Sequence, residues 1–322
     1  MQNAGDSPSP AKAWIITGPT SGIGRRTALE LAGHGTVVLV GRDPNKLGEV
    51  ESEIRARPAG RAVSIVCDFS DIGSVRRAAA QIVALDLPVA GLLNNAGVML
   101  TRAGQSAQGW DLAFATNHLG PFAFTEALMP HLPDGANVVF ICSGVEDPGR
   151  KPAVAAGFRG GRYISAEASA RGEWQPGGSS RPGLDAYATS KQCNLATVLA
   201  FAREFPRLRF NAVEPGFNPS TGLARDANAV LQFLAKYVLS PIAPFIKYWS
   251  TPRHAARVIT EVLTSESDQT GVYFDENGKP MAGSAQVREP AFADRVVAET
   301  RALLATVPVD PAPAESPARR ER

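Results

Sequence analysis

Two residues four positions apart, Tyr187 and Lys191, suggest acid–base chemistry. If the segment Tyr187-Ala188-Thr189-Ser190-Lys191 is helical, this spacing places both side chains on one helix face. A tyrosine alone is a poor acid or base at neutral pH, since its pKa is about 10 in water. A neighbouring ammonium favours the phenolate and lowers that pKa, so the pair could exchange a proton with a substrate. The same spacing also occurs on ordinary solvated helix faces.

A glycine-rich turn near the start of the chain has the composition of a phosphate-binding site. The apolar run 13–17 predicts a buried strand, and a helical pattern covers 25–32. Between them lies Thr17-Gly18-Pro19-Thr20-Ser21-Gly22-Ile23-Gly24. Its glycines permit a tight turn, and the helix N-terminus offers free N–H groups to a pyrophosphate. A simple strand–helix turn is the alternative interpretation.

An arginine follows the second predicted strand, 36–40, where a bound ribose would lie. In NAD-binding folds an acidic residue at this place binds the ribose hydroxyls. Here the positions are held by Gly41 and Arg42. Arg42 and Arg25 offer planar, bidentate donors to a 2′-phosphate, which predicts NADP(H) in preference to NAD(H). Each arginine is alternatively a solvated surface charge.

Polar residues also end the third and fourth predicted strands, 62–66 and 87–93. Asp68 could accept the adenine amino group, or it could cap a helix that begins near Asp71. The fourth strand leads into Asn94-Asn95-Ala96-Gly97. Small and amide residues at this end of a strand suit a ligand crevice, and they also suit an ordinary turn.

Two further polar positions interrupt apolar segments. Thr116-Asn117-His118-Leu119-Gly120 lies within a helical pattern over 105–131, where Asn, Thr and Gly lower the helix propensity. Such a local violation is sometimes a functional site. Ser143 follows the fifth strand, 138–142, at the sheet edge where reacting groups collect.

Seven apolar strands alternate with helices, which predicts a doubly wound, parallel α/β sheet in one domain spanning 11–306. Residues 144–183 break this rhythm with nine glycines, four prolines and no clear helix or strand period. A loop of this length in a compact domain is usually functional or mobile. The polar, Pro-rich segments 1–10 and 307–322 are predicted to be disordered.

The composition argues against several other classes of protein. A net charge of +2 gives no basic field for nucleic acid. Three unpaired cysteines and four scattered histidines favour neither a disulfide framework nor a metal site. The N-terminus does not resemble a signal peptide, so we expect a cytoplasmic protein. Charges and prolines interrupt the apolar stretch 229–249, which predicts an amphipathic cover over a cavity rather than a membrane span.

Taken in order, these motifs resemble those of the short-chain dehydrogenase/reductase family. The resemblance covers about 12–275 and includes Pro215-Gly216 after the sixth strand, 208–213. Leu39-Val40-Gly41-Arg42-Asp43, the Thr116–Gly120 motif and Thr221-Gly222-Leu223 resemble the branch of retinol dehydrogenase-like enzymes and protochlorophyllide reductase. The family resemblance implies a Rossmann-type fold that binds a nicotinamide cofactor.

The resemblance also implies a role for each of four catalytic residues. Tyr187 would be the general acid in reduction, while Lys191 would lower its pKa and hold the nicotinamide ribose. Ser143 would donate to the substrate oxygen, and Asn117 would hold a water that links Lys191 to solvent. The implied cofactor-binding residues are Gly18, Ser21, Gly22, Ile23, Gly24, Arg25, Arg42, Asp68, Asn94, Ala96, Gly97, Tyr187, Lys191, Pro215, Gly216 and Thr221.

Two positions depart from the family pattern. Ser143 and Tyr187 are 44 positions apart, whereas the family usually separates them by a dozen or so. The additional residues are the 144–183 insertion, which leaves the substrate pocket unpredicted. After Pro215-Gly216, either Ser220 or Thr221 could match the family's threonine, and we favour Thr221.

The sequence therefore favours an NADP(H)-dependent oxidoreductase that acts on an apolar or bulky carbonyl/alcohol pair. Two alternatives stay open: reduction of a C=C bond, as in the protochlorophyllide branch, and a retired enzyme that only binds NADP. No catalytic residue is lost, which argues against the second. A small-molecule substrate is the expected partner. The resemblance also implies a homo-oligomer, although the insertion could hinder pairing and leave a monomer.

Overall fold

A computed structural model describes residues 12–217 and 250–308 of the chain. Several predictions lie outside these residues: the disordered N-terminus 1–10, the choice between Ser220 and Thr221, the cover 229–249 and most of the C-terminal tail. Within the described residues, no helix is long and apolar enough to cross a membrane.

The core of the molecule is one eight-stranded sheet. Its first seven strands pair in parallel, and the last pairs antiparallel with the seventh. The spatial order is β3-β2-β1-β4-β5-β6-β7-β8. The strands are β1 (Ala13–Thr17), β2 (Thr36–Gly41), β3 (Arg61–Val66), β4 (Val89–Asn94), β5 (Asn137–Ile141), β6 (Arg209–Val213), β7 (Val272–Phe274) and β8 (Pro280–Met281). The predicted Rossmann-type sheet is confirmed, and β8 is an addition to it.

Eleven α-helices in the described residues connect these strands or cover the sheet. Asp43 caps α2 and Thr251 caps α9, and each is followed by a proline at the first helical position. The helices are α1 (Gly22–Leu31), α2 (Pro44–Arg55), α3 (Ile72–Val83), α4 (Leu112–Phe114), α5 (Gly120–Leu128), α6 (Lys151–Ala155), α7 (Ala166–Ala170), α8 (Pro182–Glu204), α9 (Pro252–Thr264), α10 (Ala285–Arg288) and α11 (Pro290–Ala305).

Apolar side chains fill both faces of the sheet, because successive residues of a strand point to opposite sides. Ile15 and Val38 belong to the larger core, which includes side chains of α3, α5, α8 and α11. Trp14 and Val37 belong to the smaller core, with α1, α2 and α9. The near-continuous apolar runs of the strands follow from this double burial.

The strand order reverses between β1 and β4. In open sheets of this kind, ligands bind outside the carboxyl ends of the strands at such a switch point. The glycine-rich turn after β1 and the Asn94–Gly97 segment at the end of β4 flank this crevice, so the topology brings two predicted binding motifs together.

The 144–183 insertion is more ordered than its composition predicts. It contains α6 and α7, which the sequence analysis missed because five-residue helices are too short to show a 3.6-residue period. Tyr163 is fully buried, and its hydroxyl donates to Glu299 of α11 at 2.6 Å. The main-chain N–H of Asp111 donates to the carbonyl of Ala170 at 2.7 Å. The insertion is therefore packed onto the sheet domain.

The start of the predicted C-terminal tail also has partners. The carbonyls of Val307 and Pro308 accept hydrogen bonds from the Arg76 guanidinium at 3.1 and 2.7 Å. The chain is therefore held against α3 up to Pro308, two residues beyond the predicted domain boundary at 306.

Candidate active site

The turn after β1 has the geometry that the glycine spacing predicts. Gly18 and Gly22 adopt φ values of 67° and 55°, in the left-handed region that favours glycine. Ser21 is the N-cap of α1, and its side chain makes no capping hydrogen bond. Among the residues that the structure describes, no side chain is seen to accept from the first N–H groups of α1, as an anion-binding helix end requires.

Asn95 ties this turn to the end of β4. Its side-chain amide donates to the carbonyls of Thr17 and Gly18 at 2.8 and 3.1 Å. The Thr17 hydroxyl accepts from the N–H groups of Asn95 and Ala96, each at 2.9 Å. A Cβ atom on Gly24 would lie 2.2 Å from the Gly18 carbonyl oxygen, so a side chain there would displace the turn. Asn95 was not among the predicted site residues, although its motif was recognised.

Asp68 and Asn94, the two residues predicted to lie on the adenine side of the cofactor, differ in their hydrogen bonds. Asp68 Oδ1 accepts from the N–H and hydroxyl of Ser70 at 2.9 and 2.7 Å. Asp71, not Asp68, caps α3, so the capping alternative for Asp68 is wrong. Asn94 is buried and donates to Thr125, while its Oδ1 has no hydrogen-bond partner among the described residues. Such a buried acceptor is costly unless a further group satisfies it.

The two predicted phosphate-binding arginines differ in their surroundings. Arg42 is exposed directly after β2. The Arg25 guanidinium instead contacts the Glu53 carboxylate at 2.8 Å, an ion pair between α1 and α2. The sequence analysis missed this pairing because the two residues are 28 positions apart. Arg42 is therefore the better placed of the two for a phosphate.

Tyr187 and Lys191 meet the end of β5 on helix α8. Lys191 is buried, and its Nζ lies 5.5 Å from the centroid of the Tyr187 ring. The same Nζ donates to the carbonyl oxygen of Ile141 at 2.8 Å. Ile141 is the last residue of β5, and Ser143 follows two positions later. The structure thus brings three of the four predicted catalytic residues to one strand end.

Asn117 lies beside this group in a π-helical turn, Ala115–Leu119. Its side chain accepts from the N–H of Val98 at 2.7 Å and donates to the Val98 carbonyl at 2.8 Å. A Cβ atom on Gly97 would lie 3.3 Å from Asn117 Oδ1 and 3.7 Å from Lys191 Nζ. Asn117, Gly97 and Lys191 are therefore neighbours. The π-helical turn is the structural form of the predicted irregularity, and such turns are frequent at functional sites.

A buried network supports Asn117 from behind. Asn194 Nδ2 donates to the Asn117 carbonyl at 2.9 Å, and Asn194 Oδ1 lies 3.0 Å from His118 Nδ1. Because Oδ1 can only accept, Nδ1 carries the proton, and Nε2 accepts from the Thr300 hydroxyl at 3.0 Å. Burial lowers the pKa of His118 to about 4, so the ring is neutral at pH 7. Sequence reasoning missed this network, which joins three separate helices.

Burial dominates the electrostatics of the catalytic pair. It raises the pKa of Tyr187 well above the ordinary value, and nearby Cys142 and Glu214 raise it further. It also lowers the pKa of Lys191 to about 8. The Cys142 thiol stays neutral because burial raises its pKa to about 12. The predicted lowering of the Tyr187 pKa by Lys191 therefore has to overcome desolvation of the phenol.

The insertion contributes an aromatic ring to this site. The rings of Phe158 and Tyr187 have centroids 6.4 Å apart and are tilted by 51°. The segment after β4 crosses the start of α8 so closely that a Cβ on Gly183 would lie 1.8 Å from the Leu100 carbonyl oxygen. Val98 and Leu100 of that segment are half-buried. The Phe158 ring is therefore an apolar neighbour that the insertion places beside Tyr187.

The structure describes only the start of the turn after β6. The family resemblance places this turn beside the nicotinamide, and we call it the nicotinamide-side turn. Pro215 and Gly216 follow β6, and Gly216 has a φ of 74°, which favours glycine. Thr221, the last predicted cofactor-binding residue, lies outside the described residues, so its role stays a prediction.

Comparison with known proteins decides the family. A family model described as short chain dehydrogenase matches residues 12–155. A Streptomyces protein provisionally named daunorubicin C-13 ketoreductase DnrU is 32% identical over 277 residues, which cover 85% of this chain and 86% of that protein. The chain belongs to the short-chain dehydrogenase/reductase family.

Further similarities place the chain within this family. Human retinol dehydrogenase 13 is 29% identical over 310 residues, covering 92% of this chain and 85% of that protein. The chain thus lies in the retinol dehydrogenase-like branch, as predicted. A crystal structure of an uncharacterized Mycobacterium Paratuberculosis protein superimposes with a TM-score of 0.66 and 27% identity, covering 93% of this chain and 96% of that one. As a short-chain dehydrogenase/reductase, the chain is a nicotinamide-dependent oxidoreductase with a small-molecule substrate.

Proposed function

We propose that this short-chain dehydrogenase/reductase transfers a hydride between NADP(H) and a carbonyl/alcohol substrate, with Tyr187 as the general acid and base. One observation carries the proposal: Tyr187 and Lys191 lie one above the other on α8, with Lys191 Nζ 5.5 Å from the phenol ring. This pair meets the carboxyl end of β5, beside the crevice at the switch point of the sheet.

The residues around this crevice fit a dinucleotide. The first N–H groups of α1, which the Ser21 side chain does not cap, suit its pyrophosphate, and Asn94 Oδ1 is a buried acceptor without a partner among the described residues. When bound, the cofactor supplies the hydride in reduction and accepts it in oxidation. The remaining predicted contacts are those of Gly18, Ser21, Gly22, Ile23, Gly24, Arg25, Arg42, Asp68, Ala96, Gly97, Pro215, Gly216 and Thr221.

The protein's own residues manage the proton. In reduction, the Tyr187 hydroxyl donates its proton to the substrate oxygen, and in oxidation the phenolate removes one. Burial raises the Tyr187 pKa, and a neighbouring Lys191 ammonium would favour the phenolate and so offset part of that rise. Ser143 donates a hydrogen bond to the same substrate oxygen and stabilises the charge that develops there. Asn117, beside Lys191, holds the water that returns the proton to solvent.

The preference for NADP(H) rests on Arg42. Its exposed guanidinium follows β2 where an acidic residue would bind the ribose of NAD, and arginine suits a phosphate instead. Replacing Arg42 by alanine should weaken NADPH binding at least tenfold and leave NADH binding unchanged, as measured by nucleotide fluorescence titration. Arg61→Ala is the matched control, because Arg61 is also exposed but begins β3, whereas Arg42 follows the carboxyl end of the parallel strand β2. Equal affinities for NADPH and NADH in the unaltered protein would contradict the preference.

The apolar surroundings of Tyr187 favour a bulky apolar substrate. The Phe158 ring of the insertion lies beside the phenol, and the half-buried Val98–Leu100 segment crosses the start of the same helix. The names of two relatives, a retinol dehydrogenase and a daunorubicin ketoreductase, point to substrates of the same character. We therefore assign the site to ketones or aldehydes with large apolar bodies and their alcohols.

The test is a screen for NADPH consumption over ketones, aldehydes and quinones, with the product of each active compound identified. We expect carbonyl reduction, and Tyr187→Phe should abolish it. Tyr273→Phe is the matched control, since the buried Tyr273 hydroxyl has no hydrogen-bond partner among the described residues. Near-normal turnover by Tyr187→Phe would refute the mechanism, and a product reduced only at a C=C bond would refute the substrate class.

A further inference from the structure

An ion pair outside the predicted catalytic set joins the insertion to the nicotinamide-side turn. Arg150 Nη2 contacts Glu214 Oε2 at 2.7 Å, and the side chains are only 18% and 10% exposed. Arg150 belongs to the insertion and immediately precedes α6, while Glu214 follows β6 and precedes Pro215-Gly216. A charge pair this well buried is costly to desolvate, and it is strongly destabilising to break by removing one partner.

The turn that follows Ser143 rests on this ion pair. The Gly144 N–H donates to the Glu214 carboxylate. A Cβ atom on Gly144 would lie 2.9 Å from Glu214 Oε1 and 3.1 Å from Arg150 Cζ, so no side chain fits between the turn and the pair. The Glu214 carboxylate thus contacts both Gly144 and Arg150, and Glu214 itself directly precedes Pro215.

We propose that Arg150 and Glu214 are positioning residues for the reaction. The pair fixes the Ser143 turn against the nicotinamide-side turn and holds the insertion in a fixed position relative to both. This inference rests on the proposed function of Ser143 and Tyr187. Neither residue touches the reacting atoms. Their effect passes through the placement of Ser143 and through the charge that Tyr187 experiences.

The charge effect has a defined sign. The Glu214 carboxylate raises the pKa of Tyr187, after burial and Cys142, and Lys191 is the cation beside the phenol. Glu214 itself interacts with Arg150 and Glu276, and its pKa is raised by burial and lowered by Arg150. Tyr273 and Glu146 also interact electrostatically with Glu214. Arg150 therefore offsets a negative charge that would otherwise disfavour the Tyr187 phenolate.

The test compares three variants in the reduction of 4-nitrobenzaldehyde by NADPH across pH. Arg150→Met should lower kcat/KM at least tenfold. It should also move the alkaline fall of kcat/KM to higher pH, because Glu214 loses its counter-charge and then disfavours the Tyr187 phenolate more strongly. Glu214→Gln keeps the side-chain shape and removes the charge, so it should move this fall to lower pH. Arg150→Lys keeps the charge and should retain the unaltered pH profile.

Opposite pH shifts in Arg150→Met and Glu214→Gln distinguish an effect of charge on Tyr187 from an effect of packing alone. Arg171→Met is the matched control, since Arg171 pairs with Glu173 on the exposed surface of the same insertion. NADPH affinity and the urea midpoint of each variant show whether it is folded. Unchanged kcat/KM in Arg150→Met, or shifts of the same sign in Arg150→Met and Glu214→Gln, would overturn the inference. Failure of the proposed function would appear separately, as turnover retained by Tyr187→Phe.

Discussion

Replacing Lys191 by methionine tests the central assumption about the catalytic pair, that the ammonium assists ionisation of Tyr187. Lys191 Nζ lies 5.5 Å from the centre of the phenol ring. With the phenolate charge placed at the ring centre, the two unit charges interact by about 3 kcal/mol at an effective dielectric constant near 20, which corresponds to about two pKa units. Lys191→Met should therefore raise the Tyr187 pKa by about two units and slow alcohol oxidation by NADP⁺ about 100-fold at pH 7.

The pH dependence makes this prediction sharper. Burial lowers the pKa of Lys191 to about 8, so the unaltered protein itself loses the ammonium above that pH. The rate difference between the two proteins should be largest below pH 8 and should narrow above it. The assay is kcat/KM for oxidation from pH 6 to 10, with NADP⁺ affinity measured separately.

Lys151→Met is the matched control, because Lys151 is an exposed lysine of the insertion. We expect it to leave the profile unchanged. Profiles of Lys191→Met and the unaltered protein that superimpose, or a rate difference that grows above pH 8, would refute the electrostatic role of Lys191.

Three further predictions follow from neighbouring residues. Phe158→Ala should lower kcat/KM about tenfold for aromatic ketones and leave small aliphatic aldehydes unaffected, because the lost ring flanks Tyr187; equal losses for both classes would contradict this. Burial raises the pKa of Glu146 to about 7 from 4.5. The contribution of this carboxyl group to the free energy of unfolding is therefore fully present below pH 4.5, and roughly 3 kcal/mol of it is lost as pH rises through 7. Glu146→Gln should therefore gain stability relative to the unaltered protein between pH 5 and 8 in urea titrations, and a constant difference would exclude this role. Asn194→Leu leaves the buried Asn117 carbonyl without its donor and should cost about 1–3 kcal/mol of unfolding free energy, together with a loss of turnover; an unchanged urea midpoint would show that another group replaces the donor.

Local patterns predicted much of the sheet and its binding turn. The apolar runs of β1 and β2 are buried on both faces, so their composition alone identifies them as strands. The turn from Gly18 to Gly24 was predictable because its glycines have a steric reason that does not depend on distant contacts. The two-residue strand β8 was not, because it is too short for any period.

Contacts between distant residues account for what the sequence did not predict. Arg150 and Glu214 are 64 positions apart, and neither belongs to a recognisable motif. Their pairing follows from the contact between the insertion and the end of β6. The same applies to His118 and Thr300, which are 182 positions apart. Polar residues inside apolar helices were the only available signal, and at Asn117 that signal was used.

The π-helical turn at Ala115–Leu119 has a consequence for how this chain tolerates length changes. A π-helical turn holds one residue more than an α-helical turn, so α4 and α5 are out of phase by about 100°. Deleting a single residue here would restore a regular helix while rotating Asn117 away from Lys191. Elsewhere in a helix a one-residue deletion disrupts packing along the whole element. At this turn it would instead separate Asn117 from Val98 and Lys191, and so break the proton path at one point while α5 keeps its regular form.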